Sequence, residues 1–70
     1  MPNYCVNRQA QPSGEHEVHN TSSSCSYLPS IENRIDLGWH PDCRSAIQKA
    51  KDYYSNVDGC YYCCRECHSR

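Results

Sequence analysis

Near the start of the chain, polar and apolar positions alternate. Tyr4 and Val6 stand on one side of a run whose other side is Asn3, Cys5 and Asn7, and this period of two predicts a strand over Asn3 to Gln9. The turn-forming run Gln11-Pro12-Ser13-Gly14 follows, and Glu15 to His19 can return as a second strand to close a hairpin. Asn20-Thr21-Ser22-Ser23-Ser24 is a polar, low-complexity loop leading to Cys25. Ile35 and Leu37 are two residues apart, and Trp39 continues their face, so a third strand is expected over Asn33 to Trp39, with Gly38 as the place for a bulge. A period of 3.6 begins after Pro41. Cys43, Ala46, Ile47, Ala50 and Tyr54 form one helical stripe, Asp42 is suited to the N-cap, and Arg44, Gln48, Lys51 and Asp52 face water. Val57-Asp58-Gly59 reads as a turn that delivers the chain to Cys60. The elements describe one α+β domain over residues 1–70, with a three-stranded antiparallel sheet, one main helix and a C-terminal Cys-x-x-Cys knuckle.

Composition shows what must hold such a domain together. Of 70 residues 37% are hydrophobic, but seven of these are cysteine and six tyrosine, and phenylalanine is absent. Ordering a chain of this length costs on the order of 100 kcal/mol of conformational entropy, which so few aliphatic side chains cannot offset. A covalent or metal staple is therefore expected. Seven basic residues against eight acidic ones remove the charge imbalance typical of disordered chains, and give nucleic acid no support as a partner without excluding it. The chain is also too small to enclose the pocket of a typical metabolic enzyme. No segment is apolar enough to span a membrane, and nothing near the first residues resembles a secretory signal. The expected setting is then the reducing cytoplasm, where an odd number of cysteines favours metal binding over disulfides.

The tail holds two overlapping Cys-x-x-Cys pairs, Cys60 with Cys63 and Cys64 with Cys67. Two intervening residues let a tight turn aim both sulfurs at one tetrahedral ion while backbone N–H groups point at them, and thiolates suit zinc. His19 and Cys25, flanking the polar loop, can supply the other half of the site. The expected zinc ligands are His19, Cys25, Cys60 and Cys63, with Cys64, Cys67, His16 and His68 as alternates. Cys43, on the apolar helix stripe, and Cys5, without a spaced partner, are read as buried thiols. The paired tyrosines Tyr53, Tyr54, Tyr61 and Tyr62 are read as core area in place of phenylalanine.

The order His-x5-Cys, strand, helix with Ala46 and Ala50, glycine turn and Cys-x-x-Cys resembles the Ada-type metal-binding domain over about His19 to Cys63. The chain also looks like small bacterial Cys/His-rich proteins with an ending similar to Asp58-Gly59-Cys60-Tyr61-Tyr62-Cys63. The Ada resemblance implies a zinc site with His19 and Cys25 as the early pair and Cys60 and Cys63 as the late pair. In that family the first early position carries a methyl-accepting thiolate; here it is His19, which has none. The expected function is an intracellular zinc-binding interaction module with a structural site and an unknown protein partner. Two other readings are a thiol-reactive protein, with methyl-acceptor or redox chemistry at a cysteine, and a metal-free domain stapled by disulfides.

Overall fold

The computed structural model describes residues 2–68. Strand β1 (Asn3–Asn7) pairs antiparallel with β2 (His16–Asn20), setting Tyr4 opposite Asn20, Cys5 opposite His19 and Val6 opposite Val18. On its other side β1 pairs antiparallel with β3 (Arg34–Trp39), and single 3-10 turns lie at Ile31–Asn33 and Arg65–Cys67. Helix α1 (Cys43–Ala50) follows, and the short strand β4 (Val57–Gly59) pairs parallel with β2. The sheet is four-stranded and mixed, in the order β3-β1-β2-β4.

The expected three-stranded antiparallel sheet is therefore corrected by one strand. Val57-Asp58-Gly59 is not a free turn but an edge strand, with Glu17 opposite Asp58 and Val18 opposite Gly59. Since β3 and β4 both run parallel to β2, α1 is the crossover that parallel strands require, and it packs across all four strands. Three residues with a glycine among them carry too weak a periodicity to be read as a strand. What makes them one is the docking of α1, which returns the chain beside β2.

The helix forms for the reasons its sequence supplies. Asp42 is the N-cap, its carboxylate accepting the Ser45 N–H at 3.0 Å, and Cys43, Ala46 and Ala50 are buried. The small alanines let the helix lie close over Tyr4, Val6, Val18 and Leu37. Tyr54 packs on this core from beyond the last helical turn, where its N–H donates to the Ala50 carbonyl. Between β1 and β3 the register shifts, with Tyr4 opposite Gly38 and Cys5 opposite Asp36, so that Leu37 is extra. This is the bulge that Gly38 marks, at φ 79°. It also corrects the expected face: the alternation is broken, so Leu37 is buried while Trp39 is 48% exposed.

Cys43 is not the isolated thiol expected from the helix stripe. It forms a disulfide with Cys67, tying the first turn of α1 to the tail with Cα atoms 6.2 Å apart. Nothing in the spacing of 24 residues signals this pair; it exists because β4 and the knuckle bring the tail back under the helix. Tyr53, Tyr61 and Tyr62 are also misread as core area, since all three are exposed and only Tyr54 joins the core.

Candidate metal centre

Four side chains from separate parts of the chain meet at one end of β2. His19 belongs to β2, Cys25 to the loop that follows, Cys60 comes directly after β4, and Cys63 lies in the knuckle turn. One ligand atom from each lies within 4.8 Å of all the others. The pleat explains the placement of His19: Val18 points to the helix, and the next residue must point to the opposite face. There it shares a face with its cross-strand partner Cys5, and both are buried.

The knuckle is closed by the Cys64 N–H on the Cys60 carbonyl at 2.8 Å, and β4 is extended into it by the Cys60 N–H on Val18 O at 2.9 Å. Within that turn the Tyr62 N–H donates to Cys60 Sγ at 3.4 Å, and from β2 the Asn20 N–H donates to Cys63 Sγ at 3.3 Å. Such N–H groups favour thiolate over thiol. Burial works against them and prevails at Cys60, whose thiol is pushed up to about 12. A side-chain hydrogen bond with Cys64, followed by burial, raises the Cys63 thiol as well, while His19 opposes that shift. At Cys60 and Cys63 the backbone N–H groups thus favour the thiolate while burial opposes it.

Two of the spacings are those of a tetrahedral ion, and all of them lie within 4.8 Å. With metal–sulfur bonds of about 2.3 Å and a metal–nitrogen bond of about 2.0 Å, the sulfur–sulfur edge is roughly 3.8 Å and the sulfur–nitrogen edge roughly 3.5 Å. Cys25 Sγ stands 3.8 Å from Cys60 Sγ, and Cys63 Sγ stands 3.6 Å from His19 Nδ1. The donor set, three soft sulfurs and an imidazole, suits zinc. Cys60 and His19 are buried, whereas Cys25 and Cys63 border a surface groove of about 540 Å³ beside Tyr27 and Tyr62.

The alternates have other positions. Cys67 is withdrawn by its disulfide to Cys43, which corrects its place among the candidate ligands. Cys64 is buried in the core cluster and is not one of the four grouped ligands. The His16 ring stacks on Tyr54, with centroids 3.6 Å apart, and its Nδ1 meets Asn7 O at 2.9 Å. His68 Nδ1 lies 3.0 Å from Gly59 O and 3.4 Å from Asp58 Oδ2. His40 is held between Ser45 Oγ and Leu37 O.

Gly59 shapes the knuckle, where sequence reasoning took it only for a turn former. A Cβ there would lie 2.8 Å from the Cys64 carbonyl oxygen and 2.9 Å from Cys67 Cβ, so the knuckle can fold over β4 only if this residue has no side chain. The signal available was glycine directly before the first knuckle cysteine.

Comparison of the chain with protein-family models, with curated proteins and with solved structures yields no significant match. Among the described residues no helix is long and apolar enough to cross a membrane. The functional reading therefore rests on the cluster itself.

Proposed function

We propose that His19, Cys25, Cys60 and Cys63 bind one zinc ion in a closed four-ligand site whose role is structural, and that the domain so formed is an interaction module for a protein partner. The observation that carries this reading is the pair of edges, 3.8 Å between sulfurs and 3.6 Å between sulfur and nitrogen, in a cluster whose His19 and Cys60 are buried. Four protein ligands leave no open position for chemistry at the metal. The ion would join β2, the Cys25 loop and the tail, adding to the β2–β4 pairing, the Asn20 N–H on Cys63 Sγ and the Tyr27–Tyr62 stack. Structural zinc in small domains contributes about 10–16 kcal/mol at neutral pH, comparable with the whole stability of a typical domain.

A metal-free domain held by disulfides alone is the weaker reading, because the one disulfide of the structure leaves Cys5, Cys25, Cys60, Cys63 and Cys64 as thiols. Thiol chemistry is favoured by one observation only, the position of Cys25 and Cys63 along the open groove. The Ada-type resemblance and the cytoplasmic location belong to the same proposal. The Cys43–Cys67 disulfide counts against the cytoplasmic part of it, since intracellular disulfides are uncommon. The near-even charge gives no support to nucleic acid as the partner.

Native mass spectrometry of protein purified without added metal, repeated after denaturation, tests the reading. One zinc per chain, lost on denaturation, is the expected result. Absence of metal together with a fold that survives chelators would overturn it.

A further inference from the structure

Behind the proposed zinc ligand, the second ring nitrogen of His19 poses a separate question. His19 is fully buried, and among the described residues its Nε2 has no hydrogen-bond partner of normal geometry. An imidazole nitrogen left this way costs free energy whichever tautomer is present. One group is aimed at it: Glu17 Oε1 lies 3.5 Å away, slightly beyond hydrogen-bond length. Glu17 is there because residues two apart on a strand share a face, so β2 alone sets the carboxylate beside the ring.

Glu17 is opposite Asp58 in the β2–β4 ladder, with the Gln11 side chain beside it. The neighbouring Asp58 has its own imidazole partner in His68, at 3.4 Å. Two carboxylates on adjacent strands thus each face a histidine, one of them on the metal side and one on the tail side. Nδ1 of His19 is the atom that meets the cysteines, which leaves Nε2 as the nitrogen that carries the proton when Nδ1 ligates an ion.

We infer that Glu17 is the positioning residue of the metal centre: it accepts the Nε2–H of His19, fixes the tautomer that presents Nδ1, and strengthens that nitrogen as a ligand. This rests on the zinc reading above and deepens it. Histidine ligands in protein metal sites commonly donate their remote N–H to a carboxylate, and loss of that partner weakens binding by roughly 10–100-fold. A shift of a few tenths of an ångström, as the ring settles on an ion, would bring the contact within hydrogen-bond length.

Zinc affinity is to be measured by competition with a chromophoric chelator in wild type, Glu17→Gln and Glu17→Ala, with the exposed Glu32→Gln as control. Nitrogen-15 ring shifts of His19 are to be recorded on the zinc-loaded proteins. Expected are affinity losses of roughly tenfold for Glu17→Gln and up to about 100-fold for Glu17→Ala, none for Glu32→Gln, and Nδ1 ligation with a protected Nε2–H that shifts when Glu17 is changed. Equal affinity in all four proteins, or ligation through Nε2, overturns the role of Glu17 and leaves the zinc reading standing. A wild type that takes up no zinc overturns both.

Discussion

Cys25 Sγ lies 3.8 Å from Cys60 Sγ although 35 residues separate them, and the Cys25 loop meets the knuckle again where Tyr27 stacks on Tyr62 with ring centroids 4.6 Å apart. An ion held by the two sulfurs would add the bond that this contact lacks. Chelator treatment should lower the midpoint of thermal unfolding steeply. A loss of even about 3 kcal/mol corresponds to roughly 12–24 °C in a chain of this size. Calorimetry with and without chelator measures it, and a midpoint unmoved by metal removal would contradict a structural site. Cys60→Ser, which removes the buried sulfur ligand, should abolish stoichiometric zinc in native mass spectra.

Gly59→Ala should be far more costly than a surface glycine replacement. The added methyl meets backbone of Cys64 and Cys67 at 2.8–2.9 Å, so either β4 or the knuckle must move. We expect a loss of about 3 kcal/mol or more, with weakened zinc binding although all four ligands remain. Gly38→Ala is the comparison: φ is 79°, but no atom lies within 4 Å, so strain alone costs about 1–2 kcal/mol and zinc is retained. Urea unfolding of the two variants, with metal counted in each, separates steric closure from general glycine loss.

The Cys43–Cys67 disulfide closes a segment of 24 residues, for which constraint of the unfolded chain predicts about 3–4 kcal/mol. Reduction followed by alkylation under conditions that leave zinc bound should lower stability by that order and keep the metal count at one. Loss of zinc on opening the disulfide alone would show that the two staples are one cooperative unit.

His16→Ala should cost about 1 kcal/mol through its stack on Tyr54, and leave one zinc bound. His19→Ala should remove the metal. Because both histidines lie on β2 three residues apart, the contrast tests the ligand set with the strand as its own control.

Burial, aided by neighbouring negative groups led by Cys64, raises the Tyr4 phenol above its ordinary value of 10.0. In the unfolded chain the same phenol titrates near 10. Above that pH the unfolded state gives up its proton first, so the contribution is complete below about pH 10 and declines as pH rises beyond it. Tyr4→Phe should flatten this decline in stability measured against pH, and an unchanged slope would assign it to other groups.

The sequence alone determined whatever depends on neighbours along the chain. The hairpin follows from alternation around Tyr4 and Val18, the helix from the Cys43, Ala46, Ala50 spacing behind Asp42, and the bulge from Gly38. The scarcity of aliphatic side chains by itself called for a staple, and the spacing of Cys60 and Cys63 made them legible as a pair. Tertiary structure decided the choice among like residues that local pattern cannot rank. Cys64 and Cys67 have the same spacing as Cys60 and Cys63, but the docking of α1 over the sheet directs Cys64 into the core and Cys67 onto Cys43. His16 and His19 differ by three residues on one strand, and the pleat sends one to the helix and the other to the cysteines. Val57–Gly59 became a strand only because a crossover laid it beside β2, a consequence of packing between segments that are distant in the chain.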